Sequence, residues 1–142
     1  MPLINFGSIL TFAEKIETDN RDFYVAITQN SECAECHDLF AQFVRDAQKN
    51  IKNVQRARRE NVTEMILEQI RDFTRDSFCE SYEGADAMNV QLAMSTALKL
   101  EDRAVRYYGA AAKKLKAMSE VSRTLKALAK KHTGRYNKLK EL

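Results

Sequence analysis

The chain predicts an all-α fold, an antiparallel four-helix bundle with a short extra helix between its two helix pairs. Three observations carry this. Its 142 residues include only four Gly and one Pro, and that Pro stands at position 2, so little breaks helices or builds hairpins. Apolar residues recur at three- and four-residue spacing over long stretches, and strand-like alternation is absent. A helical segment near the N-terminus, ETDNRDFY at residues 17–24, returns as EDRAVRYY at residues 101–108.

The first helix is expected from about Ser8 to Gln29, with Ile9, Ala13, Ile16, Asn20, Phe23, Tyr24 and Ile27 on one face. NSECAEC, residues 30–36, reads as a polar connection. A second helix starts near Glu35 or Asp38 and runs to about Arg59, turning Leu39, Phe40, Phe43, Val44, Ala47, Ile51 and Val54 inward. Thr63 is placed to cap a short helix over MILEQIRDF, which would cross the end of the bundle. Gly84 and Asp86 lead into a third long helix whose stripe is Leu92, Ala93, Ala97, Leu100, Ala104, Tyr107, Tyr108, Ala111 and Leu115. Ser119 is the expected cap of a fourth, striped by Val121, Leu125, Leu128, His132, Tyr136 and Leu139.

At 142 residues the chain makes one domain spanning 1–142. No apolar run approaches the roughly 20 residues that span a bilayer. The N-terminus lacks a basic region ahead of its apolar stretch, so the expected location is the cytoplasm. Three Cys are an odd count and a poor disulfide framework. The formal charge of +3 conceals segregation: residues 1–39 carry seven acidic and two basic side chains, and residues 119–142 carry seven basic and two acidic ones. The basic run KNIKNVQRARR, residues 49–59, has no aromatic interleaving and reads as a solvated helix face rather than a nucleic-acid surface.

Cys33-Ala34-Glu35-Cys36-His37 spells the C-x-x-C-H of covalent haem c attachment. Attachment requires export, which this N-terminus does not offer, and a lone CxxC is a weak signal for zinc or redox use, alone or with Cys79. A loop with two incidental thiols is the simpler reading.

The repeat is the stronger signal. In both copies a Glu stands six residues ahead of an aromatic and seven ahead of a Tyr, at an offset of 84 residues. Helices two and four repeat as well: FAQFVRDAQKNIKNV, residues 40–54, lies over LKALAKKHTGRYNKL, residues 125–139. The segments AEKIETDNRDFY and ALKLEDRAVRYY share an Ala-x3-Glu-x5-aromatic-Tyr pattern, by which the chain resembles the rubrerythrin branch of the ferritin-like superfamily over residues 8–139. That resemblance implies a ferritin-like bundle, a homodimer, and a di-iron centre held by one Glu from each of helices one and three plus a Glu-x-x-His from each of the others.

Carried over residue by residue, Glu17 and Glu101 match the single carboxylates. The remaining positions depart from the pattern. Ala47 takes the Glu slot and Asn50 the His slot on helix two, while His132 and Arg135 take those slots on helix four. A one-residue slip brings in Asp46 and Lys49 instead, but Asp46 then leaves the apolar stripe. Such a donor set does not suit two iron ions.

The expected substitute is a charge network of Glu17, Glu101, His132 and Arg135, in which the planar fork of Arg135 bridges the carboxylates and His132 adds a second positive charge. Three functions are therefore weighed. The first is a rubrerythrin-like bundle that has lost its di-iron centre and serves a non-catalytic binding or assembly role. The second is an iron-handling oxidoreductase with a reduced site, a single iron or zinc ion on Glu17, Glu101 and His132. The third is a haem or thiol redox protein using Cys33, Cys36 and His37.

Overall fold

The computed structural model describes residues 6–60, 84–85 and 88–141. Among these residues the chain is all-helical, without strands. Helix α1 spans Phe6–Thr28, α2 His37–Glu60, α3 Val90–Lys114 and α4 Ser119–Lys140, and a 3₁₀ helix at Ser31–Cys36 joins α1 to α2. Thr63, the expected crossing helix and Cys79 lie outside the described residues. No described helix is long and apolar enough to cross a membrane.

Helix α1 packs mainly on α2, and α3 on α4. Cross-helix contacts fix the directions. Gln55 of α2 bonds Glu14 near the start of α1, whereas Phe40 stacks on Tyr24 toward its end, so the two run antiparallel. Ser122 bonds the Ala112 carbonyl and His132 reaches Glu101, which makes α3 and α4 antiparallel. Tyr107 bonds the Ile9 carbonyl and Tyr24 bonds Glu101, so α3 also opposes α1. The four helices thus run up, down, down, up.

The stripe of α1 is buried throughout, from Ile9 to Ile27. The stripe of α3 is likewise buried apart from Leu92, whereas α2 and α4 each turn inward a polar residue that apolarity alone does not suggest. On α2 the buried positions are Phe40, Phe43, Ala47, Asn50, Val54 and Ala57, so Asn50 faces inward and Ile51 is half-buried. On α4 the buried face passes through Arg135 while Tyr136 is half-buried, its ring lying under the Lys140 ammonium. Three-and-four spacing is obeyed in both cases; polar side chains occupy inward slots that a hydrophobic reading gives to their neighbours. Leu92, expected inside, is 51% exposed, because its neighbour Ala93 takes the inward position of that turn.

The connections also differ from expectation. The 3₁₀ helix buries Cys33 rather than leaving NSECAEC as a polar link. Asn30 anchors it, accepting from the Glu32 amide and donating to the carbonyls of Ala85 and Met88, which ties this corner to the entry of α3. Helix α3 is capped by Asn89, whose Oδ1 accepts from the Leu92 amide at 2.8 Å. Ser119 does not cap α4: Met118 holds the cap position without a side-chain bond, and Ser119 is the first helical residue.

The apolar interior forms two clusters. One gathers Ile9, Phe12, Tyr107, Tyr108, Leu125 and Leu128, with Phe12 and Tyr107 edge to face at 5.0 Å. The other gathers Phe23, Tyr24, Phe40, Phe43, Leu100 and Leu139. Glu17, Glu101 and His132, each fully buried, belong to neither and form a polar layer of the core.

The two cap positions give a direct test of the helix starts. Asn89→Ala is expected to lower the unfolding free energy by about 1 kcal/mol. Ser119→Ala should change it by less than about 0.5 kcal/mol. Urea denaturation of both variants measures this, and equal losses would contradict the assignment.

Candidate functional site

Glu17 on α1 has buried Ala13 and Asn20 one turn away and buried Ile16 beside it, and Glu101 on α3 has Ala97 and Ala104 one turn away and Leu100 beside it. Helical geometry therefore leaves both carboxylates facing the interior. His132 on α4 shares a buried face with Leu128 and Arg135. The structure brings Glu17, Glu101, His132 and Arg135 into one network, and Asn50, Tyr24 and Tyr108 join it.

His132 lies between the two carboxylates. Its Nε2 is 2.7 Å from Glu17 Oε2, and its Nδ1 is hydrogen-bonded to Glu101 Oε2. A neutral imidazole has one N–H and one lone pair, so it would aim that lone pair at a carboxylate oxygen. Only the imidazolium donates to both. Burial disfavours its charge, but the charges of Glu17 and Glu101, and the hydrogen bonds to them, raise its pKa to about 9.

The tyrosines complete the shell crosswise. Tyr24 of α1 donates to Glu101 Oε1 of α3 at 2.7 Å, and Tyr108 of α3 donates to Glu17 Oε2 of α1 at 2.6 Å. Tyr24 and Tyr108 are the matched tyrosines of the repeat, so each half supplies the phenol for the other half's acid. Burial and the facing carboxylate push both phenols well above their ordinary pKa, keeping them as donors. The Tyr108 ring also stacks on His132, 5.5 Å between centroids and 20° from parallel.

Asn50 donates from Nδ2 to Glu17 Oε1 at 3.1 Å. Burial alone would raise the Glu17 pKa; the charge and hydrogen bond of His132, the Tyr108 bond and the charge of Arg135 together bring it below the ordinary value.

Arg135 plays a different part from the expected one. Its Nη1 is 3.5 Å from Glu101 Oε1 and its Nη2 is 4.0 Å from Asp46 Oδ2, with the guanidinium over the Phe43 ring at 5.4 Å. Neither terminal nitrogen makes a hydrogen bond, and no contact reaches Glu17. The bridge is His132 instead. Opposite nitrogens of one flat ring span the gap between the acids, while Arg135, a turn further along α4, approaches only one. Burial opposes its charge, yet Glu101 and Glu17 hold its pKa above the usual arginine value.

With both acids ionised, two negative charges face those of His132 and Arg135, and the layer is formally neutral. Ala47 is buried and offers no donor atom. Among the described residues, no three His, Cys, Asp or Glu side chains are placed to hold a metal ion. Both imidazole nitrogens point at carboxylates, rather than converging with them on a common centre.

A second buried cation went unread in the sequence. Arg103 of α3 is 2% exposed, donates to Asn20 Oδ1 at 3.3 Å and lies 3.6 Å from Asp19 Oδ2. The signal was present: at the 84-residue offset Arg103 occupies the repeat position of Asp19, so opposite charges stand where the two halves meet.

The CxxCH segment is dispersed by its fold. Cys33 is buried in the apolar cluster around Phe23 and Tyr24, Cys36 is half-buried, and His37 is exposed at the start of α2. Burial, with Cys36 and Glu32 adding to it, pushes the Cys33 thiol up and away from the reactive thiolate.

Comparison with known proteins found no matching family model, no matching curated protein and no matching solved structure.

The network imposes a pH window on stability. A histidine whose pKa rises on folding from 6.5 to about 9 contributes fully below 6.5 and loses that contribution as pH climbs to about 9. Glu17, lowered on folding, contributes above its ordinary value of 4.5 and loses it as pH falls. Chemical denaturation from pH 4 to 10 should therefore give a maximum near pH 5–6.5, a decline to about pH 9, and a separate acid loss. A flat profile from pH 6.5 to 9 would contradict a bridging imidazolium.

Proposed function

We propose that the chain is a ferritin-like bundle of the rubrerythrin type in which protein cations have replaced the di-iron centre, leaving a non-catalytic scaffold for binding or assembly. The observation that carries this reading is His132 bonded through both ring nitrogens to the carboxylates that the resemblance assigns to metal. Two hard cations need anionic and imidazole ligands on every side. Here the corresponding slots hold the methyl of Ala47, the amide of Asn50, a charged imidazole and a guanidinium. The up, down, down, up course of the helices and the repeat offset of 84 residues add support.

Full burial of Glu17, Glu101 and His132 favours a structural role over turnover, because no substrate meets them without the bundle opening. The network then does what metal does in such a bundle: it neutralises inward acids and ties α1, α3 and α4 together. Pairing with a second copy, as the resemblance implies, belongs to the same proposal.

Metal loading tests it. Protein purified without chelators, incubated with iron(II) or zinc(II) under argon and desalted, should retain well under one ion per chain by elemental analysis. Two tightly held ions per chain would overturn the reading, and one would replace it with the single-ion site on Glu17, Glu101 and His132. The variant carrying Ala47→Glu, Asn50→His, His132→Glu and Arg135→His rebuilds the family's donor set and should gain iron relative to the parent.

A further inference from the structure

We infer that the cleft between α2 and α4 is a binding site for a compact oxyanion of the phosphate class, gripped by Lys49, Lys131 and Lys138 above the guanidinium of Arg135. These four residues line a cavity of about 260 Å³, together with Asp46 and Asn50 on its α2 side. The three lysines have no ion-pair partner among the described residues, although acidic side chains are plentiful elsewhere on the bundle. Four basic groups face the single carboxylate of Asp46, which already accepts from Gln42 at 2.9 Å.

Arg135 is the decisive observation. It is 5% exposed, and neither Nη1 nor Nη2 has a hydrogen-bond partner. Its ionic contacts, 3.5 Å to Glu101 and 4.0 Å to Asp46, are too long to satisfy a forked donor. An unmatched buried donor is costly, and the guanidinium, sealed beneath the cleft floor, adds its positive charge to that of the three lysines.

Size sets the ligand class. Sites for drug-sized molecules run from about 300 to 1,000 Å³, so a cleft of about 260 Å³ suits a phosphate or a small monoester. Charge sets the preference for a dianion over a monoanion. Such binding requires only the cleft, whether or not the adjoining network descends from a metal centre.

Titration calorimetry in a non-coordinating buffer, with sodium chloride holding ionic strength constant, tests this with three probes: inorganic phosphate, phenyl phosphate and acetate. Phosphate should bind saturably at one site per chain, and acetate should bind at least about tenfold more weakly. Tighter binding of phenyl phosphate than of phosphate identifies a monoester as the ligand, and the reverse order identifies the free ion. The exposed pair Lys131→Gln with Lys138→Gln should weaken phosphate on the order of tenfold or more while leaving thermal unfolding unchanged without ligand. Amide shifts on phosphate addition should concentrate at residues 46–50 and 131–138. No saturable heat beyond the chloride control, wild-type affinity in the double variant, or shifts centred elsewhere would each overturn the site.

Discussion

Two carboxylates sealed in a helical interior must have positive charge within hydrogen-bond distance, and the bundle is arranged around meeting that need. Burying an ion costs several kcal/mol even after the protein relaxes, and the attraction of a counterion repays it only when the remaining lone pairs are also satisfied. Here they are satisfied densely. Glu17 accepts from Tyr108, Asn50 and His132; Glu101 accepts from Tyr24 and His132 and lies beside Arg135. Every helix contributes, so the layer works as a fastener between the two apolar clusters.

The layer is symmetric on one pair of helices and asymmetric on the other. On α1 and α3 the repeat holds: Glu17 matches Glu101, Tyr24 matches Tyr108, and the phenols cross over. On α2 and α4 it breaks, with Ala47 opposite His132 and Asn50 opposite Arg135 in the repeat. One ring already serves both acids, so the equivalent position on α2 needs no second cation and holds only a methyl group. The positive charge thus collects on α4. That gathers both network cations on the helix that also lines the basic cleft, and it leaves the outermost one, Arg135, shared between the interior acid and the cleft.

Much of this was legible in the chain. Helix spacing and scarce breakers pointed to four helices, and the matched Glu positions, with His132 and Arg135, marked an inward charge network, whereas the tyrosines' part in it was not read. What escaped were choices that apolarity cannot make. Ile51 and Tyr136 are more apolar than Asn50 and Arg135, yet hydrogen bonding and charge pairing turned the polar neighbour inward. The exchange of roles between His132 and Arg135 depends on which group spans the distance between two acids, a length that a one-dimensional pattern does not contain. Ser119 looked like a cap by residue type; the turn after α3 placed Met118 there instead. Arg103 escaped because charge on a helix usually means solvent, and its partner Asp19 lies on a different helix.

The protonation state of His132 bears most directly on the account. Imidazole ¹⁵N chemical shifts, assigned with a His37→Gln variant, report which ring nitrogens carry protons. The predicted spectrum at pH 7.5 shows His132 protonated on both nitrogens, titrating only near pH 9. A neutral tautomer at pH 7.5, with one nitrogen unprotonated, would contradict the bridging cation on which the interior depends.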